Sequence, residues 1–336
     1  MTFLPGLELS RRFYREAVEP LLGNDLPHSA ARIGSGSEVL GYDTARSADH
    51  EWGPRSQVFV APGVDTSAIS RMLSERLPKT FLGYPTHFDS DHIGRMAVTD
   101  GPVRHRVDVT DLGTWFSDHL GFDPRGPITV GDWLATPTQA LLEVTAGEVF
   151  HDGLGELEPA RAALCWYPLD VWMHVLACQW QRISQEEAFV GRCGEVGDEL
   201  GSAVVAARLV RDLMRLCLLM EQRYPPYGKW LGTAFAACSP DLVPTLRAVL
   251  AATDWHERER HLAHAYETVA ARHNELGMTE FVDPSTRPYH DRPFRVLHAE
   301  RFANALRAAI TDPEVVGLPP HGSVDQYIDN TDVLQR

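Results

Sequence analysis

A change of rhythm near residue 158 constrains this chain more than any other feature. Before it, short alternating or apolar runs sit between Gly, Pro and Asp clusters, as strands and loops do. After it, residues 168–182, 184–193, 196–222, 240–252 and 254–276 carry apolar side chains at helical spacing with few β-branched runs. At 336 residues the chain is long enough for two cores. The expected plan is an α/β N-terminal domain over 1–157 and a mainly α-helical C-terminal domain over 158–336.

Within the first part, residues 8–22 read as an amphipathic helix and 28–33 as a short strand running into a Gly/Ser turn. Residues 49–61 read as a second strand interrupted near Gly53-Pro54, and 65–77 as a helix. The stretch 83–101 is rich in Gly, Pro, Asp and His and is expected to be a loop. Residues 103–109 alternate, with Val103, His105, Val107 and Val109 on one face and Arg104, Arg106 and Asp108 on the other. Residues 145–152 form one more strand candidate. In the second part Pro225-Pro226 breaks the helical pattern, and the tail from 284 carries one helix near 298–311.

The chemistry concentrates in Ile33-Gly34-Ser35-Gly36-Ser37-Glu38-Val39-Leu40-Gly41, followed by Ser47-Ala48-Asp49-His50-Glu51-Trp52. Small residues let backbone amides approach phosphate oxygens, and Ser37 adds a hydroxyl donor. Asp49 and Glu51 lie two apart, so on a strand both carboxylates face one way. Two such groups repel at neutral pH unless a cation sits between them, and Mg²⁺ with nucleotide phosphates is the usual resolution. Asp108, on the polar face of 103–109, is the natural third carboxylate. Arg55, four residues beyond Glu51, is placed to touch a phosphate; a surface arginine is the plain alternative.

This order resembles the nucleotidyltransferase superfamily of the DNA polymerase beta type, where an apolar strand leads to Gly-Ser, a Gly four positions after the Ser, then Asp-x-Asp/Glu and a later acid. Gly36, Ser37 and Gly41 match the first part, Asp49 and Glu51 the second, Asp108 the third. Gly-Glu-Val-Phe-His-Asp at 147–152 is similar to the strand that follows the core in kanamycin- and streptomycin-type antibiotic nucleotidyltransferases. The runs GSGSEVLG…DHEWGPR, YPPYGKWLGTAF (224–235) and GSVDQYIDNTDVL (322–334) look closer still to a nucleotidyltransferase-like branch of unknown function.

The resemblance implies an α+β protein, with a mixed sheet and flanking helices in the first domain. It implies metal ligation by Asp49, Glu51 and Asp108, holding Mg²⁺ or Mn²⁺, and a triphosphate grip by Gly36 and Ser37. The implied reaction moves NMP, from ATP or another NTP, to a hydroxyl of a small-molecule acceptor. Transfer to a protein Tyr, Ser or Thr and a non-catalytic nucleotide-binding module are the alternatives. Relatives of the antibiotic-modifying kind often place the site at a dimer interface, so the resemblance raises a homodimer. They also place a general base in the second domain, which points to Glu186 and Glu187. Lys229, after a Pro-Pro-Tyr-Gly turn, is placed to neutralise the triphosphate from the second domain; a surface lysine beside a packed Trp230 is the plain alternative. The chain departs from the pattern in three places: Ala48 separates Ser47 from Asp49, the second acid is Glu, and Gly34-Ser35 offers a register two residues earlier.

His87-Phe-Asp89-Ser-Asp91-His92 is a rival, since its spacing approaches the metal motif of metallo-β-lactamase-like hydrolases. No later ligand set completes it, and a substrate or nucleotide loop is the expected role. A net charge of −15 argues against general nucleic-acid binding. The absence of a long apolar run argues against a membrane span, and the N-terminus lacks the pattern of a secretory leader. Five cysteines (Cys165, Cys178, Cys193, Cys217 and Cys238) with no C-x-x-C pair read as reduced thiols, and a cytoplasmic location is expected.

Overall fold

The computed structural model describes residues 3–90 and 94–334, the side chain of Asp49 excepted. The protein is α+β. It divides into two compact units, Met1–Ile128 with Ala140–Cys165, and Thr129–Gln139 with Trp166–Arg336. The change of unit falls at 165/166 rather than 157/158, and the stretch 129–139 joins the second unit although it precedes the change of rhythm.

The first unit is built on a four-stranded mixed sheet. Its strands are β1 (His28–Arg32), β2 (Arg55–Val60), β3 (Arg106–Thr110) and β4 (Glu148–Asp152), in spatial order β3-β2-β1-β4. β1 runs antiparallel to both β2 and β4, and β2 runs parallel to β3. All five residues of β1 are buried, as a strand flanked on both edges requires. Helix α1 (Gly6–Phe13) continues through a π-helical stretch, Tyr14–Val18, and one last turn. Its Leu9 and Phe13 pack with Val58, Val60, Val107 and with Leu73 of α2 (Thr66–Arg76). On the opposite face Phe59 meets Trp115 of α3 (Leu112–Leu120) edge-on at 5.7 Å.

Two expectations change here. The strand expected over 49–61 begins only at Arg55. Residues Ala45–Asp49 form a 3-10 turn capped by Thr44, and Glu51 takes a left-handed backbone, φ 42. Asp49 and Glu51 therefore precede β2 instead of sharing one face of it. The cause is Trp52, which is buried, donates its indole N–H to Asp43 at 2.9 Å and stacks on Phe3. Gly53 then reverses the chain at φ 146, where a Cβ would meet Met96 Sδ at 2.7 Å. The stretch 83–101 is not a bare loop either: it holds the short strand pair His87–Phe88 with Met96–Ala97.

Between β3 and β4 lie helices that the apolar spacing did not announce: α3, the short helix Val130–Ala135, and α4 (Thr138–Thr145); α5 (Leu157–Ala163) follows β4. The second unit is helical, with α6 (Leu169–Glu186), α7 (Phe189–Glu195), α8 (Glu199–Met220), α9 (Gly228–Cys238), α10 (Val243–Ala251), α11 (Trp255–Glu275) and α12 (Glu300–Ala309). Asp198 and Asp254 start α8 and α11 by accepting the backbone N–H of Gly201 and Glu257. The core is anchored by Trp180 of α6, stacked on Phe302 of α12 at 4.7 Å. The run 322–334 is a structural tie: Gln326 donates to Val175 O, and Asp325 accepts from the Thr138 backbone and hydroxyl. Among the described residues no helix is long and apolar enough to cross a membrane.

Candidate functional site

A cavity of about 410 Å³ opens in the first unit where the end of β1 meets the starts of β2 and β3. The parallel register sets Arg55 beside Arg106 and Gln57 beside Asp108, and all four line it. Gln57 copies a backbone ladder: its amide donates to Ile33 O at 2.9 Å and accepts from Ile33 N–H at 3.2 Å. That pair fixes the chain as it leaves β1, so Gly34 and Ser35 form part of the cavity wall.

Beneath this wall lies a buried ion pair. Arg32 donates to Glu38 through Nε at 2.9 Å and Nη2 at 2.6 Å, and also to the carbonyl oxygens of Ile33 and Ser35. Both side chains are all but inaccessible. Burial alone would push the Glu38 carboxyl up, but Arg32 and Arg55 outweigh it and hold it below the usual carboxylate range. Arg55, 3.8 Å from Glu38, is pulled down to about 10 by its enclosure and by Arg32, against the pull of Glu38 and Glu51. Arg55 also donates to the carbonyl of Glu51.

The ion pair explains Gly36. At φ 144, a Cβ there would lie 2.5 Å from Arg32 Nη2 and 2.6 Å from a Glu38 oxygen. Gly36 is thus required by packing over the pair, and no helix follows Ser37, but the turns Gly36–Val39, Ser37–Tyr42 and Glu38–Gly41. Of the two Gly-Ser pairs, Gly34-Ser35 lines the cavity.

Asp108 reaches solvent along the cavity but is crowded by protein elsewhere, and this enclosure, with the like charge of Asp118, raises its carboxyl above the ordinary range. His105 is spent on the backbone: Nε2 lies 2.9 Å from Ser70 O, Nδ1 accepts from Val107 N–H, and burial lowers its pKa. A different histidine faces the cavity. His119, one turn after Trp115 on α3, stacks on that indole at 4.8 Å and 14°. Its Nε2 is 3.3 Å from a carboxylate oxygen of Glu143 on α4, whose carbonyl accepts the Gly34 N–H at 2.9 Å. Neither His119 nor Glu143 stood out in the sequence. The signal was available: Asp111 caps α3 through Thr114 N–H and Gly121 ends it at φ 85, so Trp115 and His119 fall on one face.

The remaining expected residues are dispersed. The Asp49 side chain lies outside the described residues, as do Asp91 and His92 of the rival motif. His87 accepts the Arg104 N–H through Nδ1. Glu51 is exposed, and Gly94, where a Cβ would meet Arg106 Nη2 at 2.5 Å and Glu51 Cγ at 3.5 Å, brings it toward the arginines. Among the described residues no three His, Cys, Asp or Glu side chains converge as a metal site. Lys229 belongs to the second unit, exposed in the first turn of α9 with its ammonium over the Trp230 ring. Glu186 pairs with Arg208 at 2.7 Å, and Glu187 is buried, accepting the N–H groups of Leu297, His298 and Ala299. All five cysteines are free, with Cys178 and Cys217 buried and Cys165 exposed.

Residues 133–231 match the profile of a family described as a domain of unknown function, DUF4037. No curated protein and no solved structure matches the chain. The matched span includes the 224–231 part of the Tyr-Pro-Pro-Tyr run and lies beyond the glycine loop and the acids of 49–51.

Proposed function

We propose that the chain is a Mg²⁺-dependent nucleotidyltransferase that binds an NTP in the first unit and moves its NMP group to an acceptor hydroxyl. One observation carries this reading: in a protein of net charge −15, the cavity at the end of β1 is walled by Arg32, Arg55 and Arg106 and a glycine loop, with Asp108 the one carboxylate among its described lining residues. Guanidiniums on adjacent strands match a chain of phosphates, and the glycine loop lets phosphate oxygens approach the backbone.

The grip falls to Gly34-Ser35 in this reading, with Arg55 and Arg106 on the phosphates. A divalent ion suits the donor chemistry, since Glu51 and Asp108 offer hard oxygens and the crowding of Asp108 by Asp118 is relieved by a cation. Asp49, Glu51 and Asp108 would hold that ion, which would neutralise triphosphate charge and act as a Lewis acid. Calorimetry with Mg·ATP, followed by assay of pyrophosphate release, tests the reading. Asp49→Asn is expected to abolish release while the fold stays intact by circular dichroism. Full release from that variant, or no binding of Mg·ATP to the wild type, removes the proposal.

A further inference from the structure

His119 stands in the cavity wall. Its ring is fixed on three sides. Trp115 stacks on one face, Glu143 lies 3.3 Å from Nε2, and Gly34 approaches the ring closely enough that a Cβ there would sit 3.9 Å from Cε1. Glu143 is buried and does two jobs. One carboxylate oxygen lies beside Nε2, which is buried and makes no hydrogen bond among the described residues, while the Glu143 backbone carbonyl holds the N–H of Gly34 at 2.9 Å. One residue of α4 therefore touches both the histidine and the loop proposed to carry phosphate. The other charged groups among the described residues of the wall are Arg32, Arg55, Arg106 and Asp108, with Asp118 beside His119 on α3.

An imidazole backed by a carboxylate is suited to taking a proton, because the carboxylate fixes the tautomer and stabilises the imidazolium that forms. We propose that His119, positioned by Glu143, accepts the proton of the acceptor hydroxyl during nucleotidyl transfer. This inference rests on the nucleotidyltransferase reading. The acceptor O–H bond breaks as its oxygen bonds to the α-phosphorus. The bond from that phosphorus to the β-phosphate bridging oxygen breaks, and its electron pair leaves with pyrophosphate. The proton passes to His119 and then to solvent.

The experiment measures pyrophosphate release from Mg·ATP with water as the hydroxyl acceptor, beside calorimetric ATP affinity. His119→Asn is expected to slow release about 10²–10⁴-fold and to leave ATP affinity within about twofold, since the phosphate contacts are elsewhere. Glu143→Gln keeps the backbone carbonyl on Gly34 and is expected to slow release while ATP affinity stays within about twofold, so the loss falls on turnover and not on binding. Should His119→Asn keep the wild-type rate, His119 is not the base, while the transferase reading survives. If wild-type protein binds Mg·ATP and releases no pyrophosphate, both proposals fall together.

Discussion

Replacing Glu38 with Gln isolates the charge that the cavity wall is built around. Glu38 is the shared counter-ion of Arg32, at 2.6 Å, and Arg55, at 3.8 Å, and Arg32 is only 1% exposed. Unit charges about 4 Å apart at an effective dielectric of about 20 interact by about 4 kcal/mol. Removing one partner of a buried pair costs about 3–5 kcal/mol, because the survivor stays buried without compensation. Gln keeps an acceptor oxygen for Arg32, so the expected loss for Glu38→Gln is about 3 kcal/mol, the lower end of that range. Arg32→Met with Glu38→Leu is expected to recover part of it, not all, because Arg32 also holds the carbonyls of Ile33 and Ser35. The folded carboxyl of Glu38 sits below its ordinary 4.5, so its contribution is present above that value and fades as pH falls through the folded pKa. The variant should therefore differ most from wild type at pH 7 and least in acid. Hydrogen exchange across a urea series, read on peptides from β1 and β2, follows the first unit alone. A Glu38→Gln protein within about 1 kcal/mol of wild type at pH 7 would refute the reasoning.

Gly36→Ala should destabilise the first unit by about 1–2 kcal/mol or more, because the new Cβ meets both members of the Arg32–Glu38 pair; an unchanged unfolding midpoint contradicts this. Arg55→Ala and Arg106→Ala should each weaken Mg·ATP binding about ten- to a hundredfold by calorimetry, whereas Lys229→Ala tests the second unit separately. Glu187 is raised to about 7 by burial, which outweighs its three backbone N–H partners. The folded state then holds that proton more tightly than the unfolded chain, so stability falls as pH rises from about 4.5 to about 7. Glu187→Gln should flatten that slope in denaturation profiles, and a slope that persists in the variant counts against it.

The sheet was readable because its strands are short apolar or alternating runs: His28–Arg32 and Arg106–Thr110 stand within a few residues of where the pattern put them. The faces of β3 were readable too, since Val107 is buried and Asp108 exposed. Illegible parts follow from non-local contacts. Asp49-x-Glu51 has the spacing of a strand pair, but the burial of Trp52 against Phe3, Tyr84 and Asp43 overrides it. The choice between Gly34-Ser35 and Gly36-Ser37 depends on Arg32 reaching Glu38, and no local spacing announces that buried pair. His119 and Glu143 meet only because α3 and α4 fold together, although the caps of α3 alone gave the Trp115–His119 stack.

Arg55 and Arg106 give the anion reading its physical weight. They are direct neighbours in the parallel β2–β3 register, where like charges repel. Enclosure adds to this, as the fall of Arg55 to about 10 shows. Glu38 offsets one guanidinium of the group and is already committed to Arg32. Glu51 approaches Arg106 from an exposed bend, where solvent weakens its charge. The wall therefore gathers Arg32, Arg55 and Arg106 with Asp108, beside a chain exit fixed by the Gln57–Ile33 amide pair, in a protein whose net charge is −15. On the proposed reading, a bound polyanion would relieve that repulsion at the glycine loop.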